Sequence, residues 1–465
     1  MTPSDCILVC GLLAFQESTP TDTHAQLSSE VPRPHIVLIL ADDLGWGDVG
    51  YHGATDLRTP HIDALAESGL QLDQFYAMPT CTPTRAALLT GRYPSRYGLQ
   101  SCALMPWSQA GLALTERLLP ELLRDVGYRT AIVGKWHLGH FQAEYLPTRR
   151  GFNSHYGSYS DGVDYFKHDR NGSLDWHRDE QPVRETGYAT DLLAAEASRI
   201  IERHEGDEPL FLYVPFTAPH APIQAPLESE QEFKHIEDPA RRTYAASVAH
   251  LDTAVGRIVR SLETRGIREQ TLLLFLSDNG AAGNHAGSNT PLRGSKFSAF
   301  EGGIRVPAIA SWPTFLDPNQ IIEVPFHVID LVPTFAALAG ASTDTTKPLD
   351  GIDIWSVLSD GLAPSPRTLV LHLDNHGGAI RVGDWKLVVR DKQRARGPTL
   401  DGLVKLFNLA KDPIEKRNLA KSNPEKVASM FAELRATAKQ AAPKLQIPFN
   451  APDSYIAPKV LGPKR

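Results

Sequence analysis

Four cysteines in 465 residues, Cys6, Cys10, Cys81 and Cys102, are too few for a disulfide framework, so packing has to hold this fold. Positive charge is also scarce. Lysine and arginine number 47 against 54 acidic residues, giving a net charge of −7 and a pI near 6.2. That balance excludes a general binder of nucleic acid or membrane surfaces. No apolar run is long enough to cross a bilayer, so no membrane span is expected, and no internal repeat is present. A basic start is missing from the apolar stretch 6–15, which carries Asp5 instead. It reads as a degraded signal segment, a weak export signal, followed by a polar linker to residue 34.

What remains is an ordinary globular composition, 42% apolar and 22% charged, able to bury a large core. Strand-like apolar runs at 35–40, 128–133, 210–216, 271–276 and 304–312 alternate with helical ones at 59–68, 86–90, 118–126, 188–203, 241–262 and within 327–339. This pattern predicts an α/β fold with a large mixed, mostly parallel sheet sandwiched by helices. Beyond residue 365 the texture changes. Short runs at 369–372, 379–382, 386–389 and 404–407, then a helix at 424–441, predict a small antiparallel sheet covered by one helix. The expected organisation is therefore a segment 1–34, a main domain 35–365, a C-terminal α+β subdomain 366–442, and a tail 443–465 with five prolines that wraps back over the body.

Each strong strand runs into residues suited to chemistry: 35–40 into Asp42-Asp43, 128–133 into Lys135 and His137, 210–216 into His220, and 271–276 into Asp278-Asn279. Ligands of open α/β sheets bind beyond the carboxyl ends of the strands. Asp42, Asp43, Asp278 and Asn279 form an oxygen-only ligand set, which suits calcium or magnesium rather than zinc. Three carboxylates gathered there repel one another unless a cation neutralises them. Taken singly, Asp-Asp and Asp-Asn-Gly are also ordinary caps and turns. The segment Cys81-Thr82-Pro83-Thr84-Arg85 opens an apolar helical run that ends Leu89-Thr90-Gly91-Arg92. Pro83 fits a first helical turn, and Cys81 then lies where helix N–H groups favour an anion. Arg85, four residues on, faces the same side.

That segment resembles the formylglycine signature of the sulfatases, within the alkaline phosphatase superfamily, with Thr84 where the family more often has serine. The resemblance extends over LADDLGWGD, GKWHLG, TAPHAP, SDNG, LRGSKFSAFEGG, RVGDWKLV and LFNLAKDP. It is most like the arylsulfatase B, or N-acetylgalactosamine-4-sulfatase, type, through Gly98-Leu99-Gln100, Leu118-Leu119-Pro120 and the residues 146–152.

The resemblance implies an alkaline-phosphatase-like fold and a formylglycine made from Cys81 by a formylglycine-generating enzyme. It also implies one divalent cation, Ca2+ or alternatively Mg2+, held by Asp42, Asp43, Asp278, Asn279 and the modified Cys81. Arg85 steadies the nucleophile, Lys135 and Lys296 hold the sulfate, His220 protonates the leaving alcohol, and His137 takes a proton from the second hydroxyl to release sulfate. A sulfated saccharide substrate and an exported location follow from the same likeness. Two other readings stay open: a phosphonate or phosphate ester hydrolase, and a silent carbohydrate-binding homologue. Arg149, Arg150, Lys167, His168 and Arg170 are expected to form a basic rim, unless the arginines pair with Asp161, Asp164 or Asp169.

Overall fold

The four apolar runs that point at the chemistry form adjacent parallel strands: Thr271–Ser277, His35–Ala41, Leu210–Pro215 and Arg129–Val133, in that spatial order. The computed structural model describes residues 31–100, 103–391 and 398–463. Cys6, Cys10, Cys102 and nearly all of the expected signal segment lie outside these residues. Every residue of Thr271–Ser277 and Leu210–Pro215 is buried, as continuous apolar strands covered on both faces must be. Ala308–Ser311 and Leu70–Leu72 extend the sheet antiparallel on one side, and Gln320–Ile322 closes that edge. Ser154–Gly157, His177–Arg178 and Gln181–Pro182 complete the other side of a ten-stranded mixed sheet. The expected strand 304–312 divides. Its first residue, Ile304, ends the short helix Glu301–Ile304, and only Ala308–Ser311 joins the large sheet.

Alternate side chains of each strand enter two cores. Val37, Ile39, Leu273 and Phe275 pack under Pro60–Glu67, Ala189–Glu202 and Pro239–Arg265. Ile36, Leu38, Leu272 and Leu274 face Cys81–Thr90, Leu119–Asp125 and Leu331–Ala339. This two-sided cover is the alkaline-phosphatase-like α/β sandwich predicted from the sequence.

A four-stranded antiparallel sheet follows, Thr368–Asp374, Gly377–Val382, Trp385–Arg390 and Leu403–Asn408, with the helix Pro424–Ala438 against it. Its Ile380, Leu387 and Leu406 belong to the same apolar cluster as the second face of the large sheet, so this unit is packed onto the body. A buried ion cluster joins the two: the Lys386 ammonium lies 2.7 Å from Glu301 and 3.0 Å from Glu415, and the Glu415 carboxylate accepts from the Glu301 N–H at 2.7 Å. Glu301 ends the loop that carries Lys296, so the C-terminal sheet anchors that loop. The tail does return over the body. Leu445 donates to the Gly98 carbonyl, Leu174 donates to the Lys459 carbonyl, and Leu461 donates to the Leu174 carbonyl.

Candidate active site

Parallel register places the four strand ends side by side, and their next residues meet. Asp278 donates its N–H to the Ala41 carbonyl at 3.0 Å, and the Asp43 N–H reaches Asp278 Oδ1 at 3.3 Å. Asp43 adopts φ 65°, a left-handed conformation that asparagine and aspartate tolerate best and that is enriched at functional turns. The Asn279 amide donates to Asp43 Oδ1 at 2.7 Å. All four side chains are buried.

The helix Cys81–Thr90 begins at the cysteine itself, with Pro83 in its first turn, and each of its ten residues is buried. Burial pushes the Cys81 thiol pKa upward, so the unmodified side chain is a poor nucleophile. Cys81 lies beside Asp42 and Asp278, with one ligand atom of each within 4.8 Å of the others. Arg85, one turn on, donates to Asp278 Oδ2 at 3.2 and 3.0 Å, to Asp42 Oδ2 at 3.1 Å and to the Lys135 carbonyl at 2.7 Å.

Thr84 shows what its hydroxyl is for. It donates to the Asp278 carbonyl at 2.6 Å and accepts from the Met78 N–H at 3.0 Å. Serine, more usual at this position, offers the same two bonds. Thr84→Ser is therefore expected to change stability by less than about 1 kcal/mol, whereas Thr84→Val leaves buried groups unpaired and costs about 2 kcal/mol. Denaturant unfolding of both variants checks this.

Lys135 follows Gly134, whose φ of 138° and closeness to Pro215 leave no space for a side chain: an added Cβ meets the Pro215 carbonyl oxygen at 2.0 Å. The Lys135 ammonium pairs with Asp42 Oδ2, and the Lys296 ammonium with Asp43 Oδ1 at 2.6 Å. His137 is not in extended chain. It takes φ 59°, and both its ring nitrogens are buried without a hydrogen-bond partner among the described residues. Burial and the neighbouring Lys135 hold its pKa well below the usual value, so it is neutral. His220 is fixed through Nδ1 to the Ala221 carbonyl at 2.6 Å, with Nε2 3.6 Å from Asp43 Oδ2. Burial and Lys296 push its pKa down to about 4. Every sequence-predicted residue of the site thus lies in one cluster, buried throughout except at the half-buried His220.

The electrostatics correct one expectation. The three carboxylates do not stand alone against each other, because Arg85, Lys135 and Lys296 pair with them inside the protein. Burial raises the Asp42 and Asp43 pKa values, but these cations outweigh it and keep both ionised. Asp278, pressed by burial and by Asp42, is pushed up to about 7. What points to a cation is the set of oxygens left over. Asp42 Oδ1, Asp43 Oδ2 and Asn279 Oδ1 are buried and have no hydrogen-bond partner among the described residues. Unpaired buried oxygens are costly, and hard oxygens of this kind fit Ca2+ or Mg2+.

The basic rim does not form as expected. Arg150 is buried and donates to the carbonyls of Leu112 and Glu116, Arg149 pairs with Glu180 at 2.7 Å, and His168 bonds the Gly187 carbonyl. Arg170 pairs with Asp161 at 2.7 and 2.5 Å, the alternative raised from the sequence, and of the five only Lys167 is exposed and outside an ion pair among the described residues. Two positions that sequence reasoning did not use support the site. Tyr165 donates to the Thr217 and His220 carbonyls at 3.0 and 2.9 Å, and Glu301 anchors the Lys296 loop. A lone tyrosine and an acidic residue beside two glycines carry no signal of such roles.

Comparison with known proteins agrees with this geometry. The sulfatase family model matches residues 34–341, and the chain belongs to the sulfatase family, whose members are sulfuric ester hydrolases. It is 33% identical to mouse arylsulfatase J, over 88% of this chain and 77% of that protein. It is 36% identical to mouse N-acetylgalactosamine-6-sulfatase, over 77% of this chain and 73% of that protein. The solved structure of Ps i-CgsB in complex with k-i-k-neocarrahexaose superposes with a TM-score of 0.82 at 33% identity, covering 88% of this chain and 94% of that one. These relatives support a sulfatase without singling out the 4-sulfatase type. Among the described residues no helix is long and apolar enough to cross a membrane.

Proposed function

We propose that this sulfatase removes sulfate from a saccharide, using residue 81 as formylglycine and one divalent cation. The observation that carries the reading is the trio of unpartnered buried oxygens, Asp42 Oδ1, Asp43 Oδ2 and Asn279 Oδ1, in the cluster that also holds Cys81 at the head of its helix. Asp42, Asp43, Asp278 and Asn279 are the residues to hold the cation. When bound, the cation supplies positive charge that lowers the pKa of a hydroxyl on residue 81. Calcium is the better fit, since it accepts crowded, flexible oxygen sets.

The chain's own residues supply the rest. Arg85 locks Asp42 and Asp278 in place. Lys135 and Lys296, two buried ammonium groups flanking the carboxylates, bind sulfate oxygens and take up the charge that develops on them. The Ala221 carbonyl only accepts, so His220 carries its resting hydrogen on Nδ1; Nε2 must first take up a proton from solvent, and the imidazolium so formed gives that proton to the leaving alcohol. His137, uncharged and unpartnered, serves as the base for sulfate release. Maturation by a formylglycine-generating enzyme and export complete the proposal.

Residues 98–100, 118–120 and 146–152 resemble the N-acetylgalactosamine-4-sulfatase type, while one relative is an N-acetylgalactosamine-6-sulfatase, so the test must carry both. Kinetics on 4- and 6-sulfated N-acetylgalactosamine saccharides, aryl sulfates and phosphate monoesters, with the freed position read by NMR, decide it. Sulfated saccharides are expected to exceed aryl sulfates in kcat/KM by about tenfold or more, the worth of one or two extra contacts. Aryl sulfates matching every saccharide would remove the glycan assignment. Preferred turnover of phosphate esters would remove the sulfate one.

A further inference from the structure

Phe297 follows Lys296 directly, and its environment is unusual for a large apolar residue. The side chain is 68% exposed, and the backbone sits at φ 69°, where a bulky non-glycine residue is strained. Backbone bonds hold it there. Lys296 donates to the Ala281 carbonyl at 3.1 Å, Phe297 to the Pro79 carbonyl at 2.8 Å, and Ser298 to the Ser295 carbonyl at 3.0 Å. The Pro79 bond ties the ring to the chain two residues before Cys81. The Lys296 ammonium lies 5.7 Å from the ring centroid.

Phe297 lines a recess of about 160 Å3 between its loop and the C-terminal sheet, whose other walls include His372, Asp374, His376 and Arg390. A second irregularity lies there. The pairing of Thr368–Asp374 with Gly377–Val382 slips between Val370 and His372, a bulge of the kind that re-aims a side chain. Asp374 accepts the His376 N–H at 2.7 Å and stands 3.5 Å from His372 Nε2. Burial works against this carboxylate, but His372 outweighs it and the Asp374 pKa is held at about 2. Nδ1 of both imidazoles has no hydrogen-bond partner among the described residues.

Two departures from regular backbone therefore converge on one recess, an aromatic platform on one side and polar groups on the other. That combination is how proteins take up a sugar ring, which has an apolar C–H face and a hydroxyl edge. We propose that this recess binds a second sugar unit, the neighbour of the sulfated ring held at Cys81, stacked on Phe297 with its hydroxyls toward His372 and His376. Asp374 is a positioning residue that holds the His372 imidazole and the backbone of His376. The inference rests on the glycan reading above and adds that recognition extends beyond the sulfated ring.

Chain length separates the possibilities. KM and kcat are measured for Phe297→Ala, Phe297→Trp and His372→Ala on N-acetylgalactosamine sulfate and on sulfated di- and tetrasaccharides containing it. Phe297→Ala is expected to raise KM for the disaccharide by about tenfold, and for the monosaccharide by much less, with tryptophan restoring the native ratio. His372→Ala is expected to act in the same direction. Equal losses on all lengths would overturn the second subsite while leaving the glycan sulfatase intact. Failure of the native-sequence protein, with Cys81 converted to formylglycine, on every saccharide removes both.

Discussion

Replacing Cys81 by alanine is expected to lower kcat by about 10^4-fold or more, since it deletes the atom on which the nucleophile is built. The fold should survive. Cys81 is buried, but among the described residues its side chain enters no ion pair and contributes no bond to the cluster that Arg85, Lys135 and Lys296 hold together. The same dependence has a second readout. The thiol of the unmodified residue has its pKa raised by burial, so unconverted protein should be inactive even though it is folded. Co-expression with a formylglycine-generating enzyme is then expected to raise specific activity in proportion to the converted fraction, measured by the mass of the peptide containing residue 81. Activity that is independent of that fraction, or retained by the alanine variant, would sink the mechanism. Cys81→Ser should give a single turnover at most, because a lone hydroxyl lacks the second one from which His137 draws its proton.

Asp42, Asp43, Lys135, His220, Asp278 and Asn279 were legible because each follows the end of a strong apolar run, whereas Lys296, in a loop, was legible only through the family resemblance. A fully buried strand such as Thr271–Ser277 is a continuous apolar run, and its end can be read to within a residue, so Asp278 and Asn279 are located by the strand itself. Parallel neighbours then put four such ends together without further information. The short edge strands were not legible: Ser154–Gly157 and His177–Arg178 are polar, only two to four residues long, and exist because a neighbouring edge offers hydrogen bonds. The basic rim failed for a related reason. Sequence gives the charge of Arg150 and Arg170, but whether they face solvent depends on which partners the fold brings to them, the distant Leu112 and Glu116 carbonyls in one case and in the other Asp161, nine residues away and within 2.5 Å. Counting three carboxylates likewise could not show that three cations pair with them. Their sign was readable at 85, 135 and 296, but their reach was not.

Removal of divalent cations by chelation and desalting is expected to abolish activity, with Ca2+ restoring it fully, Mg2+ less well and Zn2+ not at all. The ligand set is all oxygen, which disfavours zinc, and it is crowded, which disfavours the strict octahedron of magnesium. Stability supplies a readout independent of turnover. A cation present at about 100 times its Kd stabilises the folded state by about 2.7 kcal/mol, and calorimetry should show a corresponding rise in Tm. Two variants divide this effect. Asn279→Ala removes one unpartnered oxygen but leaves the buried ion pairs in place, so its metal-free stability should change by about 1 kcal/mol while most of the Ca2+ shift disappears. Asp42→Ala instead leaves Lys135 and Arg85 as buried charges short of a partner, and is expected to lose about 3–5 kcal/mol with or without Ca2+. Stoichiometric zinc by elemental analysis, or full activity after exhaustive chelation, would refute the assignment. A Ca2+ shift that is equal in the native protein and Asn279→Ala would place the cation elsewhere, because that variant changes the ligand set and spares the ion pairs around it.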